Sequence, residues 1–149
     1  MVRPSQVEVM MGMARMVSLR GTCDRLQVGA LIARDSRVIS TGYNGNVAGL
    51  VHCSHRLLDV PGIPCTTAVH AEANAIVFAA RHGVEIFQAD LWSTHQPCLE
   101  CAKLIINAGV RRVWFEKDYR LREGLELLLE AGLEVFRVRE DYSTFQVTR

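Results

Sequence analysis

Cys98 and Cys101 stand three apart in "HQPCLEC", and His70 and Glu72 stand two apart in "AVHAEANAIVFAARHG". Thiols at i and i+3 share one helix face, and a helix N-terminus biases them toward the metal-binding thiolate. His70 adds a nitrogen donor. Three protein ligands, His70, Cys98 and Cys101, are the mark of a catalytic zinc; a structural zinc takes four. The remaining position takes water, whose pKa zinc lowers toward about 7. Glu72 sits beside a ligand without being one, and is the candidate base that collects and redelivers protons. Either half alone says less. A lone C-x-x-C also suits a redox pair or a structural zinc, and a lone histidine at a helix start is more often a cap or a packed side chain.

The spacing sets a condition on the elements. Two residues apart on a helix is about 200° of rotation, so His70 and Glu72 cannot share a stripe. They reach one point only from the first turn, where side chains splay around the helix end. The rest of the stretch, Ala73 through Ile76, Val77 and Ala80, reads as core. "CLECAKLIINAG" reads as a second helix, with Gly109 at its C-terminal position. Ahead of these lie a helix opened by the capping box Ser5/Glu8, with Val9, Met10, Met13, Ala14, Met16 and Val17 as its apolar face, and a hairpin, "QVGALIA" and "VISTGY" about the turn "RDSR". The segment from Asn44 to Val69 holds five glycine or proline breakers and reads as a long loop, functional or tied down. From "ADLWSTH" onward the pattern alternates β, α, β, α, β through "VRRVWF", "LREGLELLLEAG" and "LEVFRVR". The expected fold is α/β: a three-layer α/β/α sandwich on a five-stranded mixed sheet, as a single domain over residues 1–149.

Composition bounds the function. With 149 residues, 49% hydrophobic and 22% charged, the chain is an ordinary globular domain. A net charge of +1 gives no footprint for polymeric nucleic acid. No apolar run is long enough for an export signal or a membrane span, and Glu8 counts against a mitochondrial presequence. A cytoplasmic protein is expected. Five cysteines are an odd number for a disulfide framework and, clustered with histidines, suit metal in a reducing compartment.

H-x-E followed by P-C-x-x-C is the signature of zinc deaminases. Both halves are present, "HAE" at 70–72 and "PCLEC" at 97–101. Together with "TCDRLQVGALI", "ISTGYNG", "HAEANAIVFAARHG", "THQPCLECAKLIINAG" and "AGLEVF", in that order, the sequence resembles the deoxycytidylate (dCMP) deaminases of the cytidine deaminase-like superfamily. The resemblance implies zinc on His70, Cys98 and Cys101 and hydrolytic conversion of dCMP to dUMP and ammonia. It implies that Glu72 protonates the ring at N3 and then serves the leaving amine. The Ala71 N–H would meet the base carbonyl, and Asn44 the deoxyribose hydroxyl; Asn44 also reads as a plain turn residue before Gly45. Arg25 is the first candidate for the phosphate and Tyr119 the second; solvated surface side chains are the alternative. Arg81 would face the site or a neighbouring subunit. The resemblance also implies a homo-oligomer, commonly a hexamer, with dCTP and dTTP as effectors. Relatives with a second, structural zinc suggest a closed site of Cys23, Cys53, His55 and Cys65, against the alternative of buried cysteines.

Rival readings stay open. One is a deaminase of dCTP, deoxycytidine, cytidine or a modified dCMP, and a tRNA adenosine deaminase fits less well. The other is a non-catalytic, zinc-stabilised interaction module, for which Glu72 would have no use.

Overall fold

The computed structural model describes residues 2–52 and 65–149. Helix α1 (Gln6–Ser18) carries the expected capping box: the Glu8 N–H donates to Ser5 Oγ, and the Ser5 N–H to Glu8 Oε2. Its buried stripe is rotated from the predicted one. Met10, Met11 and Ala14 are buried, whereas Val9, Met13 and Met16 face outward. Strands β1 (Gly29–Arg34) and β2 (Arg37–Tyr43) form the predicted hairpin. Its two turn residues, Asp35 and Ser36, have φ of 49° and 61°, the left-handed pair whose twist matches flanking strands.

The predicted long loop is tied at its base. Short strands β3 (Gly45–Asn46) and β4 (Ala68–Val69) pair with each other, and the Val47 N–H donates to the Thr67 carbonyl. There follow α2 (Ala71–Arg81), β5 (Asp90–His95), α3 (Leu99–Asn107), β6 (Arg112–Lys117), α4 (Glu123–Glu130), β7 (Glu134–Val138) and β8 (Thr144–Val147).

The main sheet runs β2-β1-β5-β6-β7-β8, six strands where the sequence pattern predicts five. The added strand, β8, pairs antiparallel with β7 at the sheet edge. Three of its four residues are exposed, so no buried alternation marks it in the sequence. β5, β6 and β7 are parallel, each joined to the next by a helix, while β1 runs antiparallel to both its neighbours.

The expected three layers are present. α1 covers one face, with Met10, Met11 and Ala14 against Leu31, Ala33 and Trp92. The other helices cover the opposite face, packing Ala71, Ala75, Ile105 and Leu128 on Ile32, Leu91, Val113 and Val135. Two glycines let backbones touch. A Cβ on Gly42 would overlap the Ala71 carbonyl and the Ala75 nitrogen, so α2 lies directly on β2. A Cβ on Gly124 would overlap the Pro97 and Cys98 backbone, so the start of α4 is seated against the turn before α3. Ser40 Oγ donates to the Ala75 carbonyl at 2.6 Å and Asn74 Nδ2 to the Tyr43 carbonyl at 2.7 Å, pinning the first turns of α2. Among the described residues, no helix is long and apolar enough to cross a membrane.

Candidate active site

The strand directions bring several chain segments to one end of the sheet: the run into β1, the exit of β2, the start of α2, and the exits of β5 and β6. Carboxyl ends of parallel strands are where α/β sheets hold ligands. A cavity of about 330 Å³ opens there, walled by residues from all five segments.

His70 and Cys98 are not inside their helices. Each is the N-cap, with extended backbone (φ/ψ −72°/157° and −72°/172°), and the helices begin at Ala71 and Leu99. The two thiols therefore converge from a cap and from the third residue of the first turn, not from i and i+3 inside one helix as predicted. Extended caps also remove the 200° problem. His70 leaves α2 from outside the spiral, and Glu72 leaves from its first turn.

His70 Nδ1 lies 3.2 Å from Cys98 Sγ and 3.5 Å from Cys101 Sγ. All three donor atoms lie within 4.8 Å of one another, and no other such group occurs among the described residues. A tetrahedral zinc with ordinary bond lengths separates nitrogen and sulfur ligands by about 3.6 Å, so this donor set fits zinc without rearrangement. The proton chemistry agrees. Cys98 is held well below an ordinary thiol by hydrogen bonding from Cys101 and from His70. His70 is raised in turn by its bond to Cys98. Cys101 is pushed up because it shares a proton with Cys98 and because it is buried. A bound dication strips that remaining proton.

Glu72 is only 4% exposed. Burial raises its carboxyl pKa, the direction needed for a group that must hold a proton near neutral pH. Its Oε2 lies 3.6 Å from Cys101 Sγ, and Ser93 Oγ donates to Oε1 at 3.4 Å. Glu72 thus borders the metal ligands from below. Ala71, fully buried, places its N–H at the first helical position, where the helix itself has no acceptor for it.

Arg25, Asn44, Tyr119, Cys23 and Cys65 all reach the wall of this cavity. The Asn44 amide is already engaged there: Oδ1 accepts from the Val28 N–H at 2.8 Å and Nδ2 donates to the Leu26 carbonyl at 2.7 Å. It braces the run carrying Arg25. Arg81 is exposed at the far end of α2 from His70 and is absent from the wall. Cys53 and His55 lie outside the described residues.

The sequence reading passed over four residues at this site: Ser93, His95, Gln96 and Arg120. His95 and Gln96 lie on the wall from the β5–α3 turn, and Arg120 from the β6–α4 connection. Burial, with Lys117 nearby, lowers the His95 pKa. The signal for Arg120 was its place beside Tyr119; its guanidinium lies over that ring at 5.9 Å. No pattern marks Ser93 or Gln96, since each looks like an ordinary polar residue at a strand end.

Known proteins share these features. Residues 4–117 match the cytidine and deoxycytidylate deaminase zinc-binding region. ComE operon protein 2 of Bacillus subtilis is 40% identical over 142 residues, covering 95% of this chain and 75% of its own. The deoxycytidylate deaminase of Mycobacterium phage D29 is 39% identical over 130 residues, covering 79% of this chain and 99% of its own. The dCMP deaminase of cyanophage S-TIM5, in a crystal structure with dCMP and dUMP, superposes with a TM-score of 0.82 at 31% identity, covering 93% of this chain and all of that one. The family match spans well over half of the chain and includes His70, Glu72, Cys98 and Cys101, and the chain belongs to the cytidine and deoxycytidylate deaminase family.

Proposed function

We propose that the chain is a zinc-dependent dCMP deaminase that converts dCMP and water to dUMP and ammonia. One observation carries the choice of a nucleotide over a free nucleoside. A single cavity joins the metal ligands and Glu72 to the two guanidinium side chains of Arg25 and Arg120 and the Tyr119 phenol. Its lining thus offers both a metal site for the base amine and cationic groups for a 5′-phosphate. The D29 and S-TIM5 relatives support the same substrate.

In this reading, His70, Cys98 and Cys101 hold zinc, which when bound supplies the Lewis acid that makes water nucleophilic at neutral pH. Glu72 takes a proton from that water and delivers one to N3 as oxygen adds to C4. It then takes the proton of the new C4 hydroxyl and delivers it to the exocyclic nitrogen, the C4–N bond breaks as the C4 carbonyl forms, and ammonia leaves. The Ala71 N–H donates to the base carbonyl. Asn44 holds the approach to β1 and turns its remaining amide hydrogen to the deoxyribose hydroxyl. Arg25, Tyr119 and Arg120 receive the phosphate.

The rest of the reading is coarser. A cytoplasmic homo-oligomer, a hexamer by family resemblance, with dCTP and dTTP as effectors, is part of it. A second zinc on Cys23, Cys53, His55 and Cys65 is also proposed, supported by Cys23 and Cys65 on the cavity wall. Metal analysis should return two zinc ions per chain; one per chain would reject the second site.

The deciding assay offers dCMP, dCTP, deoxycytidine and CMP to the pure, zinc-loaded protein and follows ammonia release. Preference for dCMP is expected. Preference for deoxycytidine would reject the phosphate assignment, and no turnover of any of them would favour the interaction-module reading.

A further inference from the structure

Gln96 is polar yet only 4% exposed, lies on the cavity wall, and stands two residues before the ligand Cys98. Its bonds run into the β6–α4 connection. The Gln96 N–H donates to the Lys117 carbonyl at 2.8 Å, and its Nε2 donates to the Leu121 carbonyl at 2.9 Å. These two anchors bracket Asp118, Tyr119 and Arg120. Asp118 is itself paired with Arg137 of β7 at 2.8 Å. Just beyond, Gly124 is seated on the Pro97–Cys98 backbone. The short turn that presents Cys98 to the metal therefore also grips the connection that presents Tyr119 and Arg120 to the cavity.

From this we infer that Gln96 is a positioning residue for substrate: it fixes how far the Tyr119–Arg120 pair stands from the metal, and so selects substrates carrying a phosphate at that distance. The inference rests on the phosphate assignment proposed above. A glutamine that merely satisfied a loop carbonyl would not need to sit on the cavity wall between the metal turn and the guanidinium. Losing its donor orphans the Leu121 carbonyl and releases one end of the clamp. Binding energy at the remote end of a substrate is useful only while the two ends are held in register.

The test uses Gln96→Met and Gln96→Leu, both close in size and both without the donor; the second keeps the result readable if the first destabilises the fold. Each is made in the full, zinc-loaded chain, alone and combined with Arg120→Ala. The expected result is a KM for dCMP raised about tenfold, the scale of one lost hydrogen bond with an orphaned partner, with kcat within about twofold and zinc content unchanged. In the Arg120→Ala background the same change should add little, because the tether acts through that side chain. An unchanged KM, a fall in kcat at constant KM, loss of zinc, or full additivity with Arg120→Ala would each overturn the inference while leaving the phosphate assignment standing. If Arg120→Ala itself leaves the KM for dCMP unchanged, the phosphate assignment fails and the inference falls with it.

Discussion

At the metal end of the cavity every functional atom sits on a helix tip whose following turns are buried: Ala71, Ala75 and Ala79 behind His70 and Glu72, and Cys101, Ala102 and Ile105 behind Cys98. At the opposite end the side chains hang from connections, and Arg25 and Arg120 are exposed. The helix tips are held by direct backbone contact at Gly42 and Gly124, the connections by pairs of hydrogen bonds from Asn44 and Gln96. Chemistry that needs atoms placed to a few tenths of an ångström is built on the rigid end. Recognition of a charged group, which tolerates more movement, is built on the other.

The contrast is open to attack from both ends. The largest effect is expected at Glu72. Glu72→Ala should lower kcat by about 10²–10⁴, the usual worth of a positioned proton shuttle, while metal analysis finds the catalytic zinc retained. Retained activity would remove Glu72 from the chemistry, and loss of zinc would make it a structural partner of the ligands. Next come the two contact glycines. Gly42→Ala and Gly124→Ala should each destabilise the fold by about 1–3 kcal/mol through overpacking, read as a lower denaturation midpoint. Gly124→Ala should also release zinc to a chelator faster, because its Cβ would press on the Cys98 backbone. A midpoint and chelator rate equal to wild type would show that the rigid end can flex.

At the loop end the effect should be smaller and confined to binding. Arg25→Ala and Arg120→Ala should each raise the KM for dCMP about tenfold with little change in kcat, as expected for a charged hydrogen bond to phosphate. A fall in kcat instead would mean the two ends are not separable. The smallest effect belongs to His95. Its folded pKa lies below the ordinary value of 6.5, so between the two values the unfolded chain binds more protons than the folded one. Stability is therefore full above about 6.5 and is lost as pH falls from there toward the folded pKa. His95→Gln should flatten that slope in urea titrations below about pH 6.5; an unchanged slope would show that His95 does not cause it.

The two ends also differed in how openly the sequence announced them. "HAE" and "PCLEC" are legible because zinc demands particular atoms at particular spacing, and few other residues can supply them. Alternating β and α patterns are legible because β5 is buried, β6 buries alternate residues and the helices between the strands are amphipathic. β8 is not, since an exposed edge strand carries no burial period, and the buried stripe of α1 is rotated because Val9, Met13 and Met16, though apolar, face outward. Gln96 and Ser93 were invisible, because their importance lies in whose carbonyl or carboxylate they happen to face. Asn44 stands out through its motif, but that its amide also braces the backbone at Leu26 and Val28 shows only in the structure.

By itself the sequence determined the candidate metal ligands, the carboxylate beside them and the alternation that makes the sheet, because each depends on residue type and on spacing along one element. The tertiary structure decided that His70 and Cys98 act as extended caps and that α2 and α3 begin side by side. It decided too that one turn holds both the metal and the connection bearing Arg120. Those depend on distances between segments far apart in the chain, which close packing across Gly42 and Gly124 sets and no local pattern encodes.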